Sequence, residues 1–98
     1  MNTITPLFPL GNVVITTNAL NTLTEANPEA SYEMVKILGR HQSGDWGIVD
    51  NEDKRSNDDA VKNGSRIILS AYEIEGIKVW VITEYDRSIT TILLPEDY

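Results

Sequence analysis

The apolar positions of this chain gather towards its C-terminus, where the stretch from Arg66 to Leu94 reads as three antiparallel strands that the rest of the chain covers. Ile67 to Ile74 and Ile77 to Glu84 are rich in β-branched and aromatic residues. Only Glu75-Gly76 separates them, a pair suited to a two-residue hairpin turn with glycine at positive φ. Counting outward from Ile74 opposite Ile77 sets Glu73 against Lys78, Tyr72 against Val79, Ala71 against Trp80, Ser70 against Val81, Leu69 against Ile82 and Ile68 against Thr83. The opposite charges of Glu73 and Lys78 beside the turn favour this register over a one-residue slip. A four-residue reversal at Tyr85-Asp86-Arg87-Ser88 then places Glu84 opposite Ile89, Thr83 opposite Thr90, Ile82 opposite Thr91, Val81 opposite Ile92 and Trp80 opposite Leu93, and Pro95 ends the third strand.

The two-residue period of a strand sorts these positions into two faces. One carries Ile68, Tyr72, Ile74, Ile77, Val79, Val81, Ile92 and Leu94, with Ser70, Thr83 and Thr90 among them. The other carries Ile67, Leu69, Ala71, Trp80, Ile82, Ile89 and Leu93. An antiparallel sheet normally leaves one side to water, so two apolar faces predict two covers: helices on one side, and the N-terminal segment or a second subunit on the other.

Upstream the pattern is helical and punctuated. Two prolines around Leu7 and Phe8 favour an extended, anchored segment over Thr5 to Leu10, and Gly11-Asn12 allow a turn into a short β-prone run at 13–16, a fourth strand or edge cover. Thr17 or Asn18 caps a helix over 18–26 with Ala19, Leu20, Leu23 and Ala26 along one side. Asn27-Pro28 opens a second helix over 28–40 with Tyr32, Val35, Leu38 and Met34 facing inward. A third helix over 51–63, capped by Asp50 or Asn51 and ended by Gly64, has only Ala60 and Val61 for an apolar face and therefore lies at the surface. The expected fold is a single α+β domain over 1–98: a C-terminal three-stranded antiparallel meander at about 66–94, a fourth N-terminal strand, and two to three helices packed on it.

Composition changes this picture in two ways. With 98 residues and 41% hydrophobic content the chain can bury a core of its own. It has no cysteine, so neither a disulfide framework nor a thiolate metal site is expected, in keeping with a reducing, cytoplasmic setting. Met1 to Leu10 has no basic region followed by an apolar run, and no segment approaches the roughly 20 apolar residues needed to span a bilayer, so no membrane association is expected. Fifteen acidic against eight basic side chains give a formal charge of −7. Direct binding to nucleic-acid phosphates is disfavoured, because such sites need a basic stripe that releases counterions. The acidity favours solubility and suits a basic site on another protein.

Candidate chemistry is sparse. The lone histidine, His41, lies near a helix end beside Arg40, with no second His or Cys to share a metal, and is expected to be structural or solvated. In Ser43-Gly44-Asp45-Trp46-Gly47, Trp46 reads as a core anchor and Asp45 as the acceptor of an Asx-type turn, with a ligand-contacting loop as the alternative. The acidic run from Asp50 to Asp59 lacks the glycine and glutamate spacing of a calcium loop, and no cofactor or metal site is expected. The densest polar cluster is Glu84, Tyr85, Asp86 and Arg87, followed by Thr90 and Thr91. Glu84 and Arg87 could form an ion pair that fixes the loop. Asp45, Trp46, Glu84, Asp86, Arg87 and His41 make up the candidate functional surface, and whether Asp45, Glu84 and Arg87 converge is its first test. Helices followed by a meander also resemble, at the level of fold alone, small microbial RNases and toxin nucleases of the barnase and RelE type. On that reading His41 or Glu84 is the general base and Arg66 or Arg87 stabilises the phosphorane, against the acidic charge.

Several stretches taken together carry a closer likeness: Pro9-Leu10-Gly11-Asn12-Val13-Val14, Arg40-His41, Ser43-Gly44-Asp45-Trp46-Gly47, Asn63-Gly64-Ser65-Arg66-Ile67, Ser70-Ala71-Tyr72, Trp80, Ile82-Thr83-Glu84, Asp86-Arg87-Ser88 and Thr90-Thr91-Ile92-Leu93-Leu94-Pro95. Over nearly its whole length the chain resembles a family of small bacterial proteins of plasmids, phages and integrated elements, often called plasmid-related proteins. The resemblance implies a genetic context and a cytoplasmic product, but no activity, substrate or catalytic residue. Small acidic proteins in that setting often bind a host protein, for example as inhibitors of restriction or CRISPR defence. The leading expectation is therefore a non-enzymatic protein-binding or inhibitory module whose partner is a host or element protein. A small RNase or toxin is the alternative, and a homodimer through the spare sheet face a third reading.

Overall fold

The computed structural model of the protein describes residues 6–98; residues 1–5, including Thr5 at the start of the proline-bounded segment, lie outside the described residues. Strands β1 (Asn12–Ile15), β2 (Ile68–Ile74), β3 (Ile77–Thr83) and β4 (Ile89–Leu93) form one mixed sheet in the order β1-β4-β3-β2. Helices α1 (Thr17–Ala26), α2 (Ala30–Gln42) and α3 (Asn51–Asn63) intervene between β1 and β2, and a 3₁₀ turn, Pro95–Asp97, follows β4. This is an α+β fold.

The meander has the register that its turns dictate. Ile74 pairs with Ile77, Glu73 with Lys78 and so on to Ile68 with Thr83, and β4 continues the ladder from Thr83 with Thr90 to Trp80 with Leu93. Glu75 and Gly76 both take positive φ, 53° and 76°, the two-residue turn whose twist matches antiparallel strands. β1 is a fourth strand, one residue earlier than its β-prone run predicts. It lies parallel to β4, with Val13 beside Thr90 and Ile15 beside Ile92.

One face of the sheet holds the core. Ala19 and Leu23 of α1 and Ala30 and Ile37 of α2 pack on Tyr72, Ile74, Val79, Val81, Ile92 and Leu94, all buried. Thr16 caps α1 by accepting the Ala19 amide through its hydroxyl, one residue before the expected cap. Asp97 of the C-terminal turn accepts from the Thr16 hydroxyl and the Asn18 amide, which locks the chain end against the start of α1. α2 begins at Ala30, two residues later than expected, because Asn27 accepts the Glu29 and Ala30 amides and holds Pro28 in a preceding turn.

α2 turns a different side inward from the one its apolar spacing predicts. Its inward stripe is Ala30, Ile37 and His41, whereas Tyr32 and Val35, expected inside, are 70% and 69% exposed; Met34 and Leu38 pack at the core margin. A second cluster of Phe8, Trp46, Ala60 and Ile68, flanked by Leu10, Val49 and Val61, closes the same face beside α3. The segment ending at Leu10 thus seals the helical side of the sheet and leaves the outer face alone, contrary to the cover predicted for it.

α3 has little apolar surface and guards an edge. β2 is the last strand of the sheet, and its outward backbone groups need partners. The Asn57 side chain donates to the Leu69 carbonyl at 2.7 Å and accepts the Leu69 amide at 3.1 Å. Two residues on, the Ala71 amide donates to the Trp46 carbonyl and the Ala71 carbonyl accepts from the Ile48 amide, a parallel bridge centred on Gly47. Gly47 is there because the loop passes so close: at φ 73° a Cβ would overlap the Ala71 carbonyl oxygen and the Tyr72 ring.

Gly47→Ala should therefore lose at least about 3 kcal/mol of stability in urea denaturation, combining left-handed strain with overlap. Gly64→Ala, at the αL cap of α3 with open space around it, should lose only about 1 kcal/mol. Equal losses would show that the approach to Ala71 is not what Gly47 serves.

Candidate functional site

The last turn of α2 carries His41 into the sheet. The residue is fully buried, and both ring nitrogens are engaged: Nδ1 lies 2.5 Å from the Ser70 hydroxyl on β2 and Nε2 lies 2.9 Å from the Thr83 hydroxyl on β3. Thr83 in turn meets the Thr90 hydroxyl of β4 at 2.7 Å, and Thr90 reaches the Leu10 carbonyl at 2.7 Å.

The direction of this chain follows from its end. A carbonyl can only accept, so Thr90 spends its one proton on Leu10. Thr90 must then accept from Thr83, and Thr83, its proton spent, must accept from His41. His41 is accordingly the Nε2–H tautomer, and its Nδ1 accepts from Ser70. Phe8 and Trp46 close over the imidazole, with ring centroids 5.2 and 5.9 Å away and planes near perpendicular. Burial, aided by the nearby positive charge of Arg87, depresses the His41 pKa from 6.5 to about 4.

Arg87 is as fully committed. Its φ of 61° turns the side chain back under the second hairpin. One terminal nitrogen donates to the carbonyls of Arg66, Glu84 and Tyr85 at 2.5, 3.1 and 3.2 Å, and the other to the Ala60 carbonyl of α3 at 2.9 Å. The guanidinium carbon lies 5.8 Å from the Phe8 ring centroid. The expected Glu84–Arg87 ion pair is not formed: Arg87 takes the Glu84 backbone carbonyl instead, because the left-handed residue points its fork at the chain. Asp86 accepts the Ser88 amide and hydroxyl, and these bonds hold its carboxyl below the usual carboxylate range.

Asp45 belongs to a different neighbourhood. Its carboxylate receives two hydrogen bonds from the Arg40 guanidinium, at 2.7 and 3.3 Å, which lower its pKa, and it also accepts the Gly47 amide in an Asx turn. Arg40 lies over the Tyr72 ring at 4.6 Å, while the Tyr72 hydroxyl donates to the Asp45 carbonyl. Trp46 is 4% exposed, and its indole N–H donates to the Asp58 carboxylate of α3 at 3.0 Å. Among the described residues no hydrogen bond or ion pair links Asp45 to Glu84 or Arg87, and no three His, Cys, Asp or Glu side chains gather as a metal site requires. The candidate residues divide between two structural clamps and a buried relay.

The surface left open is the outer face of the sheet. Ile67, Ile89 and Val14 are 41%, 38% and 45% exposed; Leu69, Trp80 and Thr91 are half-buried between them, and Ala71, Ile82 and Leu93 form its floor. Tyr98 leans edge-on against Trp80 at 5.8 Å from one side. From the other, Asp53, Ser56 and Asn57 of α3 join Ile67, Leu69 and Trp80 around a cleft of about 270 Å³.

No family model, curated protein or solved structure matches the chain. Among the described residues, no helix is long and apolar enough to cross a membrane.

Ser70, Thr83 and Thr90 join His41, and Asn57 joins Leu69, across distances in the chain that local spacing does not announce. A signal was there: the counted register sets three hydroxyls on an otherwise apolar inner face, and buried hydroxyls need partners.

A histidine whose folded pKa lies below its unfolded value contributes stability at neutral pH that is lost as pH falls from about 6.5 towards 4. The loss over that window should be about 3 kcal/mol in urea titrations, at 1.36 kcal/mol per pKa unit, and His41→Gln should flatten the slope whatever its own stability. Arg87→Lys, which keeps the charge but not the planar fork, should destabilise by about 2 kcal/mol in the same assay. An unchanged midpoint would show the carbonyl clamp to be idle.

Proposed function

We propose that the chain is a non-enzymatic protein-binding module carried by a mobile genetic element, and that it engages a host or element protein through the outer face of its sheet. The observation that carries this reading is the exposure of Ile67, Ile89 and Val14 on the outer face of the sheet, which α3 and Tyr98 border only at its margins. An apolar patch of this kind is retained where something docks. The formal charge of −7 selects a basic partner site over a second copy of an equally acidic chain.

Of the residues that an RNase or toxin reading would use, His41 and Arg87 are otherwise employed. His41 is sealed at 0% exposure, and the Arg87 guanidinium is spent on four carbonyls. A general base must reach the proton it removes. Both facts favour binding over catalysis.

The test compares the wild-type protein with an Ile67→Glu/Ile89→Glu variant as baits in a bacterial lysate supplemented with defence nucleases. Both substitutions fall on exposed positions and should leave the fold intact by circular dichroism. The expected result is a protein retained by the wild type, reduced about tenfold or more on the variant, and binding directly when purified. Recovery of the same proteins by both baits, or of none, would refute docking on this face. Sedimentation should give a monomer mass; a dimer abolished by the variant would make a second copy the occupant. RNA cleavage by the purified chain, lost in Arg87→Ala, would restore the enzymatic alternative.

A further inference from the structure

The cleft beside Trp80 has a chemistry of its own. Asp53 and Ser56 lie three residues apart on α3, hence on one side of the helix, and both line the cleft together with Ile67, Leu69 and Trp80 of the sheet. Asn57 also lines it, but its carboxamide is spent on the Leu69 backbone. Among the described residues, the Asp53 carboxylate and the Ser56 hydroxyl make no hydrogen bond or ion pair; the Asp53 bond to the Asp50 cap uses its backbone amide. Among the described residues the ion pairs are Lys36–Glu33 and Arg40–Asp45, so no basic side chain of the described chain pairs with Asp53.

An acceptor-only carboxylate, a free hydroxyl and an indole therefore border one small apolar-walled space. About 270 Å³ is room for one long side chain rather than for a drug-sized ligand. A ligand that complements it must carry donors and positive charge, and must present a flat surface to an aromatic ring. A guanidinium does all three: five N–H donors, permanent charge and a planar group that stacks on indole, on an aliphatic stem suited to Ile67 and Leu69.

We propose that this cleft is a socket for an arginine side chain of the docking partner. Asp53 pairs with the guanidinium, Ser56 accepts one of its N–H groups and Trp80 lies against its plane. The inference rests on the protein-binding reading and deepens it: the partner's apolar contact with the outer face is anchored at its α3 margin by one basic residue, and the charge complementarity of the complex is concentrated there.

The socket can be tested without knowing the partner. Trp46 and Trp80 give two indole N–H signals in ¹H–¹⁵N spectra, one from the core and one from the cleft. Titration with N-acetyl-argininamide in the high millimolar range should move the Trp80 indole and the amides of Asp53, Ser56 and Asn57 while the Trp46 signal stays still. N-acetyl-citrullinamide, neutral and of nearly the same shape, should leave all of them unmoved. Asp53→Asn, which keeps the backbone bond to Asp50, should weaken the arginine response roughly fivefold, and Trp80→Leu should weaken it similarly.

Equal shifts with the citrulline compound, or arginine-dependent shifts scattered over acidic residues elsewhere with Trp80 unaffected, would overturn the socket. Once a partner is in hand the two readings separate. A partner that binds wild type and Asp53→Asn equally well refutes the socket and leaves the docking face standing. A specific arginine response with no partner retained in capture does the reverse.

Discussion

The fold hangs on one buried histidine. His41 and the hydroxyls of Ser70, Thr83 and Thr90 form a directed line of hydrogen bonds that begins on β2, passes through α2, crosses β3 and β4 and ends on the backbone of the N-terminal segment at Leu10. Every proton in it has one place to go. An apolar layer of the same volume would tolerate a helix slid by a turn or a strand paired one residue out of step, because dispersion and area burial are nearly indifferent to such shifts. The relay is not: a slip of α2 would strand at least two buried polar groups, each at about 1–3 kcal/mol. Among the described residues no buried side-chain nitrogen or oxygen is left without a partner, so the arrangement carries its specificity without an unsatisfied group.

Placing three helices around a four-stranded sheet produced an asymmetry. α1 and α2 both pack on the inner face, where the apolar content is greatest, and the described N-terminal residues finish that side. α3 is too polar to cover the outer face. It spends its buried positions, Asn57 and Ala60, on the β2 edge and the second cluster. Arg87 then ties the C-terminal end of α3 to the second hairpin, and Trp46 ties its middle to the loop after α2. Only Tyr98 and the margin of α3 reach the outer face, where they border Trp80.

What could be read from the sequence was local in origin. The meander register follows from Glu75-Gly76, the Glu73–Lys78 pair and a four-residue loop, and the structure has it residue for residue. The third helix was legible from Asp50 and Gly64, the residues that cap it. What was not legible came from far along the chain. The partners of His41 lie 29 and 42 residues away, so nothing in the neighbourhood of Arg40-His41 announces a fully buried ring. The parallel pairing of β1 with β4 joins the two ends of the described chain. Tyr32 and Val35 have helical spacing for an inward stripe, but the bonds of His41 to Ser70 and Thr83 set the other side, Ala30, Ile37 and His41, against the sheet. The charges of Glu84 and Arg87 are visible in the sequence, whereas the four backbone carbonyls that Arg87 binds are not.

The single amide that guards β2 also decides how the protein can assemble. A sheet with two free edges can recruit copy after copy and grow into a fibre. Here Asn57 and the Trp46–Ile48 bridge occupy the β2 edge at Leu69 and Ala71, so among the described residues β1 is the more open end. Pairing through β1 would consume the open edges of both molecules and stop at two. A capped edge of this kind works against growth of the sheet from copy to copy, because a third chain meets side chain and loop where it would need free backbone.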